Sequence, residues 1–213
     1  MWDLFAASPL IAWYLFTVWG ILTLVATEIG TFEAHNVQVW GKIISQLSSL
    51  AYIGMIIIVF VVRHLPVTKA YGVIPRVVAI VASNVQLSFF LLPRVTLSLP
   101  TEIASLSLVS GGAIASVWIL VWLRNAFSIL PQARALITGG PYRYIRHPLY
   151  AAEGVASVGL MMQFVQPLAA VITVVGFGLQ ILRMHYEERV LSETFSEYAS
   201  YKKRTFRLVP GLY

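Results

Sequence analysis

Apolar residues along this chain come in long uninterrupted runs. Six stand out, at approximately 9 to 27, 43 to 62, 73 to 92, 103 to 123, 149 to 164 and 167 to 184. Their lengths lie near the ~20 residues with which an α-helix crosses a hydrocarbon core. A membrane strand needs only about 10 residues and alternates in polarity, and that alternation is absent. The pattern predicts an all-α, polytopic membrane helix bundle of about six spans, or five if the first helix lies in the interface. Runs five and six are the shortest and are joined by little more than Gln163-Phe164-Val165-Gln166-Pro167. They read as a tight helical hairpin in which one or both members cross incompletely. The first run lacks the basic flank and small-residue cleavage site of a signal peptide, so it reads as a retained span.

Composition narrows the solvent further. The 213 residues are 58% hydrophobic and only 11% charged, whereas a water-soluble domain carries roughly 25% charged residues. The chain reads as one membrane-embedded unit. Its net charge of +6 comes from 15 Lys and Arg against 9 Asp and Glu, with much of the excess in the final third. That placement suits an anionic leaflet or an anionic ligand rather than nucleic acid. With no cysteine, a disulfide, a thiolate nucleophile and an iron–sulfur cluster are all excluded.

Basic residues also alternate from loop to loop. The second loop carries Arg63 and Lys69, with Arg76 at the next helix entry. The fourth carries Arg124, Arg134, Arg143 and Arg146, and the tail carries Arg189, Lys202, Lys203, Arg204 and Arg207, while the remaining loops hold only Lys42 and Arg94. The positive-inside bias then predicts six crossings with both termini in the cytoplasm. Residues 1–123 form the N-terminal transmembrane helices. Residues 124–213 form a C-terminal core of polar loop, helical hairpin and amphipathic tail. In that tail Leu191, Phe195 and Tyr198 make one apolar face, which predicts that run six continues past the membrane and folds back on the loop.

Candidate chemistry lies in two clusters. The fourth loop reads Leu136-Ile137-Thr138-Gly139-Gly140-Pro141-Tyr142-Arg143-Tyr144-Ile145-Arg146-His147-Pro148-Leu149-Tyr150. Its Gly-Gly-Pro turn breaks any helix, and Pro148 opens the next one at the permissive first turn. Backbone donors and His147 would then converge at a helix N-terminus, which favours a carboxylate or phosphate. The plainer alternative is an aromatic belt with basic anchors. The second cluster is Arg183-Met184-His185-Tyr186-Glu187-Glu188, in which Arg183 and Glu187 share a helix face at i, i+4. They form a structural ion pair, or Glu187 holds a ligand's hydroxyl or ammonium group. His185 and Glu188 stand at i, i+3 but lack the further carboxylates of a di-metal site, so no metal is expected. His35 and His64 are isolated loop histidines. Asn84 and Gln86 lie inside run three, where polar groups bond a neighbouring helix or line a cavity.

In order and spacing the two clusters resemble the C-terminal signature of the isoprenylcysteine carboxyl methyltransferase family, which in this region also resembles phospholipid N-methyltransferases. The matching residues are Leu136-Ile137-Thr138, Gly140 through Tyr150, Arg183, Glu187-Glu188, Leu191, Phe195, Tyr198, Tyr201 and Pro210. The first four runs match only as generic membrane helices. The resemblance implies an S-adenosylmethionine pocket at the cytosolic membrane surface, between the loop and the last helix. By the same resemblance Arg134, Ala135, Leu136, Ile137, Tyr142, His147, Pro148, Leu149, Tyr150 and Glu187 contact the cofactor, and Arg183 faces the substrate. Two departures stand out. Ala152 replaces the family's usual glycine, with the potential to narrow the cofactor channel, and Phe195-Ser196-Glu197-Tyr198 is one residue shorter than the usual run.

Methyl transfer from a sulfonium is an in-line displacement that rests on alignment and exclusion of water, so neither a covalent nucleophile nor a metal is required. Arg183 or Arg146 would hold an anionic substrate head bidentately. The expected function is therefore an integral membrane methyltransferase that uses S-adenosylmethionine and acts on a lipophilic, prenylated or lipid substrate, at a carboxylate or head group, with membrane lipids as its surroundings. Two alternatives stand beside it. A sterol-type membrane reductase using NADPH shares an Arg-His-Pro-x-Tyr run and a closing Pro-x-x-Tyr like Pro210-Gly211-Leu212-Tyr213, but such enzymes are generally longer. A transporter or scaffold without catalysis fits less well, because the charges gather at one membrane face.

Overall fold

The computed structural model describes residues 2–30, 37–62, 64–70 and 72–211. His35, Arg63 and the final Tyr213 lie outside the described residues. Each of the six apolar runs forms a helix: α1 (Trp2–Gly30), α2 (Val37–Val62), α3 (Ile74–Asn84, followed by a 3-10 stretch, Val85–Leu91), α4 (Leu99–Leu123), α5 (Pro148–Met161) and α6 (Leu168–Thr194). A short α7 (Tyr198–Lys203) follows in the tail. Among the described residues four helices, α1, α2, α4 and α6, are long and apolar enough to cross a membrane. The protein is an integral membrane helix bundle, and its surface agrees: Phe16 and Trp19 on α1 are about two-thirds exposed, which hydrocarbon tolerates and water does not.

The two shorter helices have local causes. In α3 the Asn84 side chain donates to the carbonyl of Ile80 at 2.8 Å, competing with the backbone ladder, and the chain tightens into the 3-10 stretch. Helix α5 is bracketed by Pro148 and the Gln163–Pro167 turn, and its 14 residues rise only roughly 21 Å. Run six is longer than its hydropathy suggests, because α6 passes without a break from apolar residues into the charged tail and ends at Thr194.

Small residues let α4 and α5 approach closely. A Cβ on Gly112 would lie 2.7 Å from the carbonyl oxygen of Ala152, and one on Gly159 would lie 2.7 Å from that of Ser105. The Ser105 hydroxyl donates to the Gly159 carbonyl at 2.7 Å, a contact of the kind that holds helices together where lipid supplies no hydrophobic drive. Ala152 is buried in this contact, packed in the core with Ile119, Leu120 and Leu149. It therefore faces α4 and does not narrow a cofactor channel. Outside the bundle, β1 (Thr68–Lys69) pairs antiparallel with β2 (Gln132–Ala133), with Thr68 opposite Ala133. The ribbon packs through Ala70 and Ala133 on Val190 of α6, which pins the second and fourth loops to the last helix.

Candidate functional site

The fourth loop is seated by Gly140. Its φ of +58° is a conformation that L side chains rarely adopt, and a Cβ there would lie 2.4 Å from the Trp122 ring. With the turn held against α4, the 3-10 stretch Gly140–Arg143 places Tyr142 inward. The tail closes over this loop as the sequence led us to expect. The Arg146 amide donates to the Phe206 carbonyl at 2.8 Å, the His147 amide to that of Arg207 at 3.1 Å, and the Phe206 amide to that of Tyr144 at 3.0 Å. The Tyr201 hydroxyl adds a bond to the Tyr142 carbonyl at 2.7 Å.

The adjacent carboxylates of α6 have separate tasks. Glu188 is 4% exposed and gathers the loop and tail. Arg146 Nε at 2.9 Å, Arg207 Nε at 3.1 Å and His147 Nε2 at 3.2 Å meet its Oε1, and Lys202 Nζ lies 3.2 Å from its Oε2. Arg146 also donates to the Thr205 and Lys202 carbonyls, so its guanidinium ties tail to loop. Glu187, about 100° around the helix, turns the other way. Its Oε1 accepts from the Tyr150 hydroxyl and from Arg183 Nε at 3.1 Å. Among the described residues no group bonds its Oε2. Arg183 is 4% exposed, donates to the Ser83 hydroxyl at 2.8 Å and the Ser128 carbonyl at 3.4 Å, and lies 4.8 Å over the Tyr150 ring.

Between these parts lies a cleft. Of the residues singled out in the sequence, Ala135, Leu136, Ile137, Tyr142, Arg146, His147, Leu149, Tyr150, Arg183 and Glu187 line it. Arg134 and Pro148 do not. Arg134 is buried behind the wall and donates to Gln132 Oε1 at 2.9 Å, while Pro148 starts α5 and fixes its direction. Tail residues Leu191, Tyr198 and Tyr201 line it as well, as does the stretch from Leu123 to Gln132 in part. The three tail residues belong to the sequence signature, but nothing in their spacing marks them as cleft residues. The Tyr198 hydroxyl is buried without a hydrogen-bond partner among the described residues. Burial, with Glu187 nearby, pushes the Tyr142 phenol far above its ordinary range, and burial pushes Tyr201 up to about 12. Both stay neutral donors at physiological pH. The cleft thus offers an open carboxylate oxygen, an orphaned buried hydroxyl, aromatic faces and apolar walls, which suits a ligand carrying an amine or hydroxyl donor, a planar ring and a positive charge. S-adenosylmethionine has all of these.

The profile of the phospholipid methyltransferase family matches residues 101–198, from the start of α4 to Tyr198. Membrane methyltransferases of the isoprenylcysteine carboxyl methyltransferase type, to which the loop and tail residues pointed, form this same group. Two curated proteins are similar over part of the chain. The nickel-cobalt-cadmium resistance protein NccN of Alcaligenes xylosoxydans xylosoxydans is 34% identical over 84 residues, covering 38% of this chain and 38% of that protein. The cobalt-zinc-cadmium resistance protein CzcN of Cupriavidus metallidurans is 28% identical over 109 residues, covering 49% of this chain and 46% of that protein. The matched stretch therefore spans less than half the length of either relative. Among the described residues, no three His, Asp or Glu side chains gather where they could hold a metal ion.

Proposed function

Because residues 101–198 carry the phospholipid methyltransferase pattern, we propose that this integral membrane protein transfers a methyl group from S-adenosylmethionine to a lipophilic acceptor. The observation that carries the reading is the joint placement of Glu187, Tyr142, Tyr150 and Tyr198 around one cleft at the end of the bundle. Glu187 Oε2 and the Tyr198 hydroxyl would hold the cofactor's polar groups, and the 135–137 backbone with Leu149 and Leu191 would form its apolar bed. The bound cofactor supplies an electrophilic methyl on a sulfonium. The protein's own contribution is to orient that group and exclude water from it. Glu188 fastens the tail over the cleft, and Arg183, at the floor, faces the acceptor.

Two binding measurements on detergent-solubilised protein test the proposal. Calorimetry in the presence of a chelator should register S-adenosylmethionine binding, and S-adenosylhomocysteine should raise the unfolding temperature where NADPH does not. Stabilisation by NADPH alone would overturn the reading in favour of a reductase.

A further inference from the structure

Arg183 has a second face. Together with Phe127 it borders both the cleft and a larger cavity of about 760 Å³ that runs through the interior of the bundle. Glu28, Lys42, Arg94 and Glu102 line the far end of this cavity. These four sit where α1 ends, where α2 and α4 begin and just before α4, at the end of the bundle opposite the cleft. Glu102 and Ser116 of α4 both line it, and the 14-residue step from one to the other corresponds to roughly 21 Å of helix rise. The cavity is therefore a shaft leading from the opposite end of the bundle to the underside of the candidate site.

Its walls are mixed, with apolar side chains such as Ile21, Leu24 and Leu106 beside polar ones. Gln38, Lys42, Ser45, Ser49 and Tyr52 face it from α2 at intervals of three or four residues, which is one continuous polar stripe along a membrane-crossing helix. At the inner end stands Glu153 of α5, whose Oε1 accepts from the Tyr52 hydroxyl at 2.6 Å and whose Oε2 accepts from Gln180 Nε2 at 3.1 Å. Each carboxylate oxygen can take a second donor. The side-chain carbonyl oxygen of Gln180, and farther along the shaft that of Gln46, are buried without hydrogen-bond partners among the described residues. The inner end thus has a surplus of acceptors. Its cation is already engaged, because the three guanidinium nitrogens of Arg183 bond Glu187, Ser83 and Ser128. Ionisable groups at membrane depth face a partner or a water-filled cavity and mark functional sites.

We propose that this shaft is a hydrated binding site that admits a molecule from the end of the bundle opposite the cleft and holds its non-anionic, N–H- or O–H-bearing end against Glu153 and Gln180. The name "acceptor" for this occupant rests on the methyltransferase reading; the shaft and its chemistry do not. Cofactor and acceptor then arrive from opposite faces and meet at Arg183. A carboxylate head is disfavoured, since it would lie beside Glu153, where among the described residues the one cation, Arg183, is already engaged.

The absence of native cysteine makes the test direct, because a single introduced thiol reacts quickly only where water lets it ionise. Ser45→Cys and Ser49→Cys report on the shaft, Leu47→Cys, half-exposed on the lipid side of α2, on the bilayer, and Ser200→Cys on the cleft end. Each variant is reconstituted into phosphatidylcholine vesicles and treated with a charged, membrane-impermeant methanethiosulfonate. The shaft thiols should react at least tenfold faster than Leu47→Cys, and in the fraction of molecules complementary to that labelled through Ser200→Cys. Rates matching Leu47→Cys would show a dry void, and labelling in the same fraction as Ser200→Cys would place the opening at the wrong face; either overturns the proposal. Dodecylamine and dodecanol below their micellar concentrations should slow labelling of Ser49→Cys at least fivefold, dodecanoate should not, and Glu153→Gln should abolish the protection while leaving the unprotected rate unchanged. Equal protection by dodecanoate overturns the assigned chemistry. None of these readouts needs turnover, so they fail or succeed independently of the methyltransferase reading.

Discussion

Neutralising the adjacent carboxylates of α6 one at a time should separate binding from stability. In Glu187→Gln the charged oxygen facing the cleft is lost, while the Tyr150 and Arg183 donors can still bond the amide oxygen. A hydrogen bond to a charged group contributes about 1.5 to 3 kcal/mol, which corresponds to roughly 10-fold to 150-fold in cofactor affinity. The unfolding temperature should change little, because Glu187 is partly exposed and has two donors, whereas Glu188 gathers Arg146, Arg207, Lys202 and His147. In Glu188→Gln those four partners lose their counter-charge in a site only 4% exposed. Breaking a buried ion pair costs about 3 to 5 kcal/mol, and at about 2 to 4 °C per kcal/mol for a chain of this size the unfolding temperature should fall by roughly 6 to 20 °C. Affinity measured well below that transition should stay within a few-fold of the parent. Calorimetry and thermal unfolding on the same purified samples decide the matter. Equal affinity losses, or the larger loss in Glu188→Gln without a thermal shift, would refute the division of labour.

Three further tests, two of them paired with a control substitution, probe the supports of the site. Gly140→Ala meets both the positive φ and the Trp122 ring, so it should lower the unfolding temperature and weaken cofactor binding together, whereas Gly139→Ala, whose Cβ would find Trp122 at 3.6 Å, should do neither. Gly112→Leu should disrupt the α4–α5 contact and yield little folded protein, while Gly111→Leu, with open space around its Cβ, should purify as the parent does; equal yields would mean that the close packing does not matter. Arg183→Lys keeps a charge but loses the planar fork that reaches Glu187, Ser83 and Ser128 at once. Turnover should fall about 30-fold or more, equivalent to roughly 2 kcal/mol in the transition state, with cofactor affinity within a few-fold. A matching fall in both would make Arg183 only the orienting partner of Glu187.

The C-terminal half was readable because its chemistry is local. Arg183 and Glu187 are one helical turn apart, so spacing alone places them on one face, and the loop from Leu136 to Tyr150 announces its turn and its helix start through Gly140, Pro141 and Pro148. Spacing could not show that Glu187 and Glu188 serve different surroundings, since that depends on where the tail folds. Glu153 escaped notice because it is a single acidic residue in an apolar run, and its partners Tyr52 and Gln180 are remote in sequence. The available signal was the depth of Glu153 itself, together with the polar stripe from Gln38 to Tyr52, which is concealed by the strongly apolar residues between its members. By contrast, the continuation of α6 into the charged tail, as far as Thr194, was legible in the apolar residues that recur there among the charges. Run three failed as one long α-helix because Asn84 bonds its own backbone, a local competition that hydropathy does not register.

Transfer of an isotopically labelled methyl group from S-adenosylmethionine into a total lipid extract, with purified protein in nanodiscs and Glu187→Gln in parallel, tests the central claim most directly. The account predicts label in one or a few organic-soluble products and a loss of that label in Glu187→Gln. Binding of the cofactor without label in any lipid fraction, or equal labelling by the variant, would contradict it.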